Sequence, residues 1–416
     1  MKISSSTLKI QKHVAIIGSG PSALLLAATL DPENFQVTIY EKNQAPARKL
    51  LLAGQGGFNL THSEPIDQFI KRYTPSAFFK KLITGFSNTD LQTWLHSIGI
   101  PTFTGTSKRV FPQKGIKPIA VLNAILSQLK EKNVQLITGY NWQGEELSAV
   151  ENPAGSESPS AVITVFALGG SSRKTTGTDG SWTKHFIQKG ITILPFQPSN
   201  CACQVQWPKN LLQTAEGQAL KNISIKTLNT KKEGEVVITK FGLEGSAIYA
   251  LSPDIRQQLL ASPDSPSAQI HIDLKPSLSH AKLLQTLNAK PPSDNITHFL
   301  SSTLNLSKTH IALLKAFTNK EDFLNPEQLA NKIKELPLTL TGMAPIDEAI
   351  STVGGIPLNE VDENFQLKKW PCHYAIGEML DWDAPTGGYL LQACFSMGFM
   401  LADHLNKKYL TNTRMS

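Results

Sequence analysis

Hydrophobic and polar positions near the start of the chain change period twice. The β-branched run HVAII (13–17) predicts a buried strand, LLLAATL (24–30) an apolar helix, and QVTIYE (36–41) a second strand. The turn GSGPSA (18–23) separates the first strand from the helix. This order of strand, glycine turn, helix and strand predicts a βαβ unit of an α/β, Rossmann-like domain.

The turn has the spacing of a dinucleotide-binding loop. Gly18 permits the tight turn, and Gly20 lets the backbone approach a pyrophosphate that faces the N–H groups at the helix start. Glu41 ends the second strand, where a carboxylate can bind a ribose diol, which favours FAD or NAD over NADP. The alternative is a glycine-rich turn in an unrelated α/β domain. The candidate nucleotide-binding residues here are Gly18, Gly20, Pro21, Ser22, Ala23, Glu41 and Lys42.

Two later glycine loops favour FAD over NAD. RKLLLAGQGGFNLT (48–61) follows the second strand, and AVITVFAL (161–168) predicts a buried strand that ends in a Gly-Gly pair and the polar loop SSRKTTGTDGSW (171–182). Loops of small residues permit the close backbone contact that a long cofactor needs. The candidate residues in these loops are Arg48, Lys49, Gly56, Asn59, Thr61, Ala167, Gly169, Gly170, Asp179 and Gly180.

The middle of the chain has a different pattern. Residues 195–275 alternate like strands, residues 277–335 have helical periodicity, and PLTLT (337–341) predicts a returning strand. We therefore predict a β-rich, barrel-like subdomain that carries a helical subdomain.

A constrained loop, IGEMLDWDAPTGGY (376–389), precedes the last predicted helix. We predict Gly387 and Gly388 in the first turn of that helix, where bare N–H groups and the helix dipole suit the pyrimidine edge of a flavin, which gains negative charge on reduction. The alternative is an ordinary amphipathic helix entered through Pro385 and Thr386. The candidate residues in this segment are Gly377, Glu378, Asp383, Thr386, Gly387, Gly388 and Tyr389.

Several segments together resemble the two-dinucleotide-fold flavoproteins, in the family labelled aminoacetone-oxidase-like or bile-acid-reductase-like. The matching segments, from residue 14 to about residue 402, are IIGSGPSA, ARKLLLAGQGGFNLTHSEP, ALGGSSRKTTGTDG, FGLEGSAIYAL, TVGGIPLNEVD and GEMLDWDAPTGGYLLQACFSMGFMLA. One departure indicates a distinct subfamily: the commoner family form has Arg-Cys-Asn where this chain has Gly57-Phe58-Asn59.

The resemblance implies an FAD-binding domain that is split around the insert. The predicted domains are 1–194 and 345–416 for FAD, 195–276 with 336–344 for the β-rich insert, and 277–335 for the helical subdomain.

Composition and charge limit the partners, the compartment and the metal sites that we expect. The formal charge is +7, but basic residues occur singly or in pairs, so we expect no nucleic-acid partner. The four cysteines form no C-x-x-C pair and suit a reducing compartment. A polar N-terminus and the lack of a run of about 20 apolar residues predict a cytoplasmic protein without membrane contact. Asp381 and Asp383 match no calcium-loop pattern, so we predict no metal site.

The predicted function is that of an FAD-dependent oxidoreductase. It would transfer hydride between a tightly bound flavin and a reduced nicotinamide or a small organic substrate, with NADH or NADPH as candidate electron donor. One alternative is a flavin-bearing redox sensor or RNA-associated binding protein with little turnover, and another is an NAD-only dehydrogenase. No side chain stands out as a catalytic acid or base, and the substrate and the oligomeric state stay open.

Overall fold

The structure is a computed structural model of the 416-residue chain, and it describes residues 11–52, 57–147, 163–261 and 264–410. The chain forms two compact units. The discontinuous unit comprises residues 1–197 and 351–416, and the inserted unit comprises residues 198–350. The Rossmann-type sheet of the first and the closed barrel of the second confirm the predicted fold class. The four-part domain division stays a prediction.

A five-stranded parallel sheet forms the centre of the discontinuous unit. In order across the sheet, its strands are His373–Ala375 (β16), Ile163–Phe166 (β7), Lys12–Ile17 (β1), Phe35–Glu41 (β2) and Gln135–Thr138 (β6). The central strands β1 and β7 are almost wholly buried, as expected where helices cover both faces of a parallel sheet. Because β16 pairs with β7, the two ends of the chain meet in one sheet.

The helices of this unit surround the sheet. They are Pro21–Thr29 (α1), Arg48–Leu52 (α2), Ile66–Ile70 (α3), Ser76–Gly85 (α4), Asn88–Ser97 (α5), Pro118–Glu131 (α6), Thr183–Gln188 (α7) and Tyr389–Leu410 (α15). α1 packs closely on α15. Gly398 permits this approach, because a Cβ atom there would lie 2.3 Å from the carbonyl oxygen of Ser22. No helix within the described ranges is long and apolar enough to cross a membrane.

Two smaller sheets complete the unit. Thr61–His62 (β3), Arg109–Pro112 (β5) and Thr102–Thr104 (β4) form a three-stranded antiparallel sheet in that order. Leu194–Ser199 (β8) pairs with Ser351–Gly355 (β15).

The inserted unit is built on a closed six-stranded barrel. Its strands, in order around the barrel, are Ala219–Lys226 (β10), Lys231–Ile238 (β11), Gly242–Glu244 (β12), Cys203–Val205 (β9), Leu336–Met343 (β14) and Ala268–Asp273 (β13). Its helices are Lys209–Ala215 (α8), Ser246–Ala261 (α9), His280–Asn288 (α10), Ile296–Ser302 (α11), Lys308–Ala316 (α12), Lys320–Leu324 (α13) and Pro326–Lys334 (α14). Inward-facing aliphatic residues of the strands and helices form one core, separate from that of the other unit.

The prediction that Gly387 and Gly388 occupy the first turn of the last helix is wrong. α15 begins at Tyr389, and the two glycines have φ angles of +108° and +103°, which a right-handed helix does not adopt. The N–H group of Gln392 donates to the carbonyl oxygen of Gly388 at 3.0 Å. Gly388 therefore precedes the helix as its cap, where a positive φ favours glycine.

Candidate nucleotide-binding site

A cavity lies beyond the carboxyl ends of β1, β2 and β7. This edge of a parallel sheet is where α/β folds commonly bind ligands. The lining combines the turn after β1, the end of β2, the loop after β7 and the segment after β16. The predicted site residues that it brings together are Gly18, Gly20, Pro21, Ser22, Glu41, Lys42, Arg48, Lys49, Ala167, Gly169, Asp179 and Glu378.

The glycine turn after β1 has the form that a phosphate needs. Gly18 has a φ angle of +100°, and a Cβ atom on it would lie 2.4 Å from the carbonyl oxygen of Ala167. A Cβ atom on Gly20 would meet no atom within 4 Å, so the backbone at the start of α1 is open to the cavity. Among the described residues, no side chain caps this helix start. The residues present therefore fit a bound pyrophosphate.

Hydrogen bonds within the protein hold the Glu41 carboxylate in place. Its side chain is buried, and the Ser19 hydroxyl donates to Oε2. The backbone N–H and the Nδ2 group of Asn43 both donate to Oε1 at 2.8 Å. Because each carboxylate oxygen can accept two hydrogen bonds, Oε2 keeps capacity for a ribose hydroxyl. The sequence interpretation missed Ser19 and Asn43, although both are short polar residues next to predicted positions.

Two ion pairs join different segments of the lining. Lys42 Nζ lies 3.0 Å from Asp179 Oδ2, and Lys49 Nζ lies 2.7 Å from Glu378 Oε2. Burial raises the pKa of the Asp179 carboxyl, but hydrogen bonds from Ser181 and Lys42 outweigh it and leave the pKa below its usual value. The cavity has a volume of about 140 Å³. Both ion pairs border the cavity, so a ligand that enters it can compete for these side chains.

The cavity also has lining residues that the sequence interpretation did not single out. Burial raises the pKa of one of them, the Cys394 thiol, to about 12, so this thiol is neutral near pH 7. The additional lining residues are Ile17, Ser19, Tyr40, Asn43, Ala47, Leu50, Tyr140, Asn141, Trp142, Leu168, Thr176, Gly177, Thr178, Ser181, Trp182, Ile376 and Cys394.

Four predicted residues lie next to the cavity and not in its lining. Ala23 is fully buried in α1. Gly170 and Gly377 are sites of close packing: a Cβ atom on them would lie 2.0 Å from Thr352 Oγ1 and 2.5 Å from Ser22 Oγ, respectively. Gly180 has a positive φ angle of +69° beside Ser171. These residues shape the loops around the cavity.

A second group of predicted residues gathers at β3. The Thr61 hydroxyl donates to Gln392 Oε1 at 2.7 Å. A Cβ atom on Gly388 would lie 2.5 Å from the carbonyl carbon and oxygen of Thr61, so this glycine lets the turn before α15 contact β3 directly. Gly387 and Tyr389 flank Gly388 in the same turn, which therefore connects the first third of the chain to its last helix.

Next to this turn is a buried carboxylate that the sequence interpretation missed. Glu64 accepts hydrogen bonds from Arg72 Nε at 2.9 Å, from Arg72 Nη2 at 2.7 Å and from the Tyr389 hydroxyl at 2.6 Å. Burial raises the pKa of the Glu64 carboxyl, but the Arg72 and Tyr389 hydrogen bonds outweigh it and leave the pKa below its usual value. Tyr73 donates to the carbonyl oxygen of Tyr389 at 2.8 Å. Together these contacts, the Glu64 cluster, anchor the start of α15.

The remaining predicted residues lie apart from both groups. The backbone of Asp383 pairs with that of Thr74, with two N–H···O distances of 2.9 Å. Thr386 is half-buried in the loop before Gly387. Asn59 Nδ2 donates to the carbonyl oxygen of Gly57 at 3.1 Å, and its buried Oδ1 has no partner among the described residues. Gly56 lies outside the described residues.

The fold and the cavity define an α/β protein of the dinucleotide-binding class. Residues 12–404 match the model of the HI0933-like protein Rossmann domain, and the chain belongs to this family of FAD-binding Rossmann proteins. Family membership confirms the resemblance drawn from the sequence. The predicted class, an FAD-dependent oxidoreductase, is confirmed as well.

Individual relatives are distant in sequence but match over nearly the whole chain. A 3-dehydro-bile acid delta(4,6)-reductase of Clostridium scindens is 24% identical and aligns with 93% of this chain and 97% of its own. A ribosomal RNA dihydrouridine synthase of Escherichia coli K12 is 23% identical and aligns with 94% of this chain and 97% of its own. Among solved structures, a flavocytochrome c3 fumarate reductase is 14% identical with a TM-score of 0.46, over 98% of this chain and 80% of that one.

Proposed function

We propose that the protein is an FAD-dependent reductase that adds hydride to a carbon–carbon double bond conjugated to a carbonyl group. The observation that carries the flavin assignment is the cavity at the carboxyl edge of the sheet. It brings the open glycine turn, the held carboxylate of Glu41 and the late residue Glu378 to one place.

Each part of that cavity has a role in the proposal. The N–H groups at the start of α1 bind the pyrophosphate, over the space left open at Gly20. Glu41 accepts a hydrogen bond from the adenosine ribose through Oε2. Lys49 and Glu378 exchange their ion pair for contacts with the middle of the cofactor. When bound, FAD supplies a ring system that accepts hydride from a donor and passes it to a substrate.

The turn before α15 receives the far end of the cofactor. The N–H groups at the start of this helix and the positive end of its dipole suit the pyrimidine edge of the flavin. In this proposal the Glu64 cluster holds that helix start, because it bonds both the hydroxyl and the carbonyl oxygen of Tyr389. Tyr389 already donates to Glu64, so its role here is positioning.

The choice of substrate chemistry is supported by the two kinds of relative. The names of the bile-acid reductase and the dihydrouridine synthase both describe saturation of a carbon–carbon double bond conjugated to a carbonyl group. Conjugation allows hydride to add at one carbon while the charge is delocalised onto the carbonyl oxygen. We therefore prefer reduction of such a bond to amine oxidation, and we assign a small molecule as substrate.

The test is an anaerobic reduction experiment on the FAD-loaded protein. NADH and NADPH are added in turn, and the loss of the visible flavin band is timed. The reduced protein is then mixed with cyclohexenone, or with the saturated control cyclohexanone. We expect one nicotinamide to bleach the flavin and cyclohexenone alone to restore it.

Other outcomes of that experiment favour other functions. Restoration of the band by oxygen alone, after bleaching by an amine, would support an oxidase and contradict the proposal. Restoration by a uridine-containing oligonucleotide, and by no small enone, would favour the activity named for the ribosomal RNA enzymes and overturn the small-molecule assignment. A flavin that neither nicotinamide nor amine reduces would favour a sensor.

A further inference from the structure

One face of the three-stranded sheet β3–β5–β4 presents polar and aromatic side chains that have no role in the proposed binding of the cofactor. His62 pairs with Arg109 across β3 and β5, and Phe103 pairs with Phe111 across β4 and β5. Directly paired residues, and residues two apart on a strand, point to the same side of a sheet. These four side chains therefore share one face. Thr61 and Val110 point to the other side and are fully buried.

The apolar part of this face is a flat aromatic pair. The rings of Phe103 and Phe111 stack, with centroids 5.5 Å apart and planes 24° from parallel. Phe103 remains 42% exposed. This partly exposed pair of stacked rings offers a planar apolar surface for a flat conjugated molecule.

The polar part is the guanidinium of Arg109, for which the described part of the chain supplies no counter-ion. Arg109 is half-buried, and its side chain forms no hydrogen bond or ion pair with any residue in the described ranges. Residues 102–118 also contain Lys108, Lys114 and Lys117, and no acidic residue. Burial lowers the pKa of the neighbouring His62, so that imidazole is neutral near pH 7 and adds no charge of its own to this face. A partly desolvated guanidinium with no partner favours an anion.

The face adjoins the turn to which the flavin is assigned. A Cβ atom on Gly387 would lie 3.4 Å from Arg109 Nε, so the guanidinium packs against that turn. The ring of Tyr389 stacks on His62, with centroids 5.1 Å apart. A molecule lying on the phenylalanine pair, with its charge at Arg109, would therefore be next to the turn before α15.

We propose that this face binds the substrate, and that the substrate is a flat conjugated carbonyl compound with a negatively charged group that Arg109 binds. The proposal rests on the proposed function, which places the flavin at the adjoining turn. Carboxylate and phosphate oxygens both match the planar fork of a guanidinium. Arg109 is thus a specificity-determining residue, and it takes no part in hydride transfer.

The test compares a charged substrate with a neutral one. A cyclohexenone carboxylate and its methyl ester are reduced by the wild type and by Arg109→Gln, with Lys130→Gln as a control that removes an exposed positive charge on α6. We expect Arg109→Gln to raise KM for the carboxylate by about 10- to 100-fold, with kcat and the methyl ester little changed. We expect Arg109→Lys to raise KM for the carboxylate less than Arg109→Gln does. Equal losses for both substrates, or an equal loss in Lys130→Gln, would overturn the proposal.

A binding measurement separates this inference from the proposed function. Benzoate and inorganic phosphate are titrated into the FAD-loaded protein while the flavin spectrum is recorded. The anion site is supported if the added anion perturbs the flavin spectrum of the wild type and of Lys130→Gln but not that of Arg109→Gln. This result would stand even if no enone is reduced. Perturbation that survives in Arg109→Gln contradicts it. A phosphate response without a benzoate response assigns the charge to a phosphoester, as in a nucleotide, and not to a carboxylate.

Discussion

The glycine turn after β1 and the Glu64 cluster before α15 are two ways to prepare a site for one long ligand. The turn is contiguous: residues 18–23 bend the chain and open its N–H groups by their own backbone preferences. The cluster depends on tertiary structure, since Tyr389 and Glu64 are 325 residues apart in sequence. The comparison indicates that the phosphate end is built by local geometry, whereas the flavin end depends on long-range hydrogen bonds.

The largest effect is expected at Gly18. In Gly18→Ala the new Cβ atom would lie 2.4 Å from the carbonyl oxygen of Ala167, at a φ angle of +100°. We expect the free energy of unfolding to fall by about 3–5 kcal/mol, because backbone strain adds to overpacking. Urea unfolding followed by circular dichroism measures this. Stability within about 0.5 kcal/mol of wild type would show that the turn tolerates a side chain.

The Glu64 cluster is tested by Glu64→Ala. Removing the carboxylate leaves Arg72 and the Tyr389 hydroxyl without their partner, which we expect to cost about 2–3 kcal/mol, less than for a fully buried pair because the Arg72 side chain is 39% exposed. Differential scanning calorimetry measures the loss. The matched control is Glu363→Ala, which breaks an exposed ion pair with Lys81 and should leave the melting temperature unchanged. Equal losses of stability in the two variants would show that the buried Glu64 contacts stabilise the protein no more than an exposed ion pair does.

Gly20→Ala separates ligand binding from folding at the glycine turn. Its Cβ atom meets no protein atom within 4 Å and its φ angle is −70°, so we expect stability to change by no more than about 0.5 kcal/mol. The same methyl group would occupy the space assigned to the pyrophosphate, and the Kd for FAD should rise about tenfold or more. Fluorescence titration of the apoprotein with FAD measures this, and unchanged affinity would contradict the assignment.

The smallest effect is a pH dependence. The pKa of Glu64 is below its ordinary value of 4.5 in the folded protein. The contribution of the ionised carboxylate to the free energy of unfolding is therefore complete above pH 4.5, and it is lost as the pH falls through the folded pKa. The stability difference between wild type and Glu64→Gln should therefore shrink as the pH falls below about 4.5 and through the folded pKa. Chemical unfolding at a series of pH values measures it. A difference that is constant over this range would show that Glu64 is not ionised in the fold.

The two regions also differ in how far the sequence predicts them. The βαβ unit, the returning strand β14 and the helical periodicity of the insert come from short-range patterns, and the structure has these elements as predicted. The cap position of Gly388 was misassigned because glycines before a helix and glycines within its first turn have the same pattern. The contact that excludes a side chain at Gly388 is made by Thr61, which lies in the first third of the chain.

The Glu64 cluster could not be found from sequence for a related reason. Glu64 lies in the polar run Thr61 to Pro65, which has the composition of a surface loop. In the fold it is buried and bonded to Arg72 and to Tyr389 at the start of α15. The role proposed for Arg109 could not be found from sequence either, because Arg109 packs against Gly387, which lies in a turn near the other end of the chain.

The central claim is that this protein binds FAD at the carboxyl edge of its parallel sheet. The most direct test is to purify the protein, record its visible spectrum and titrate any apoprotein with FAD, alongside Gly20→Ala. We expect a flavin spectrum and near-stoichiometric binding by the wild type, with weakened binding by a stably folded Gly20→Ala. A folded wild type that shows no flavin and regains none on addition of FAD would contradict the account.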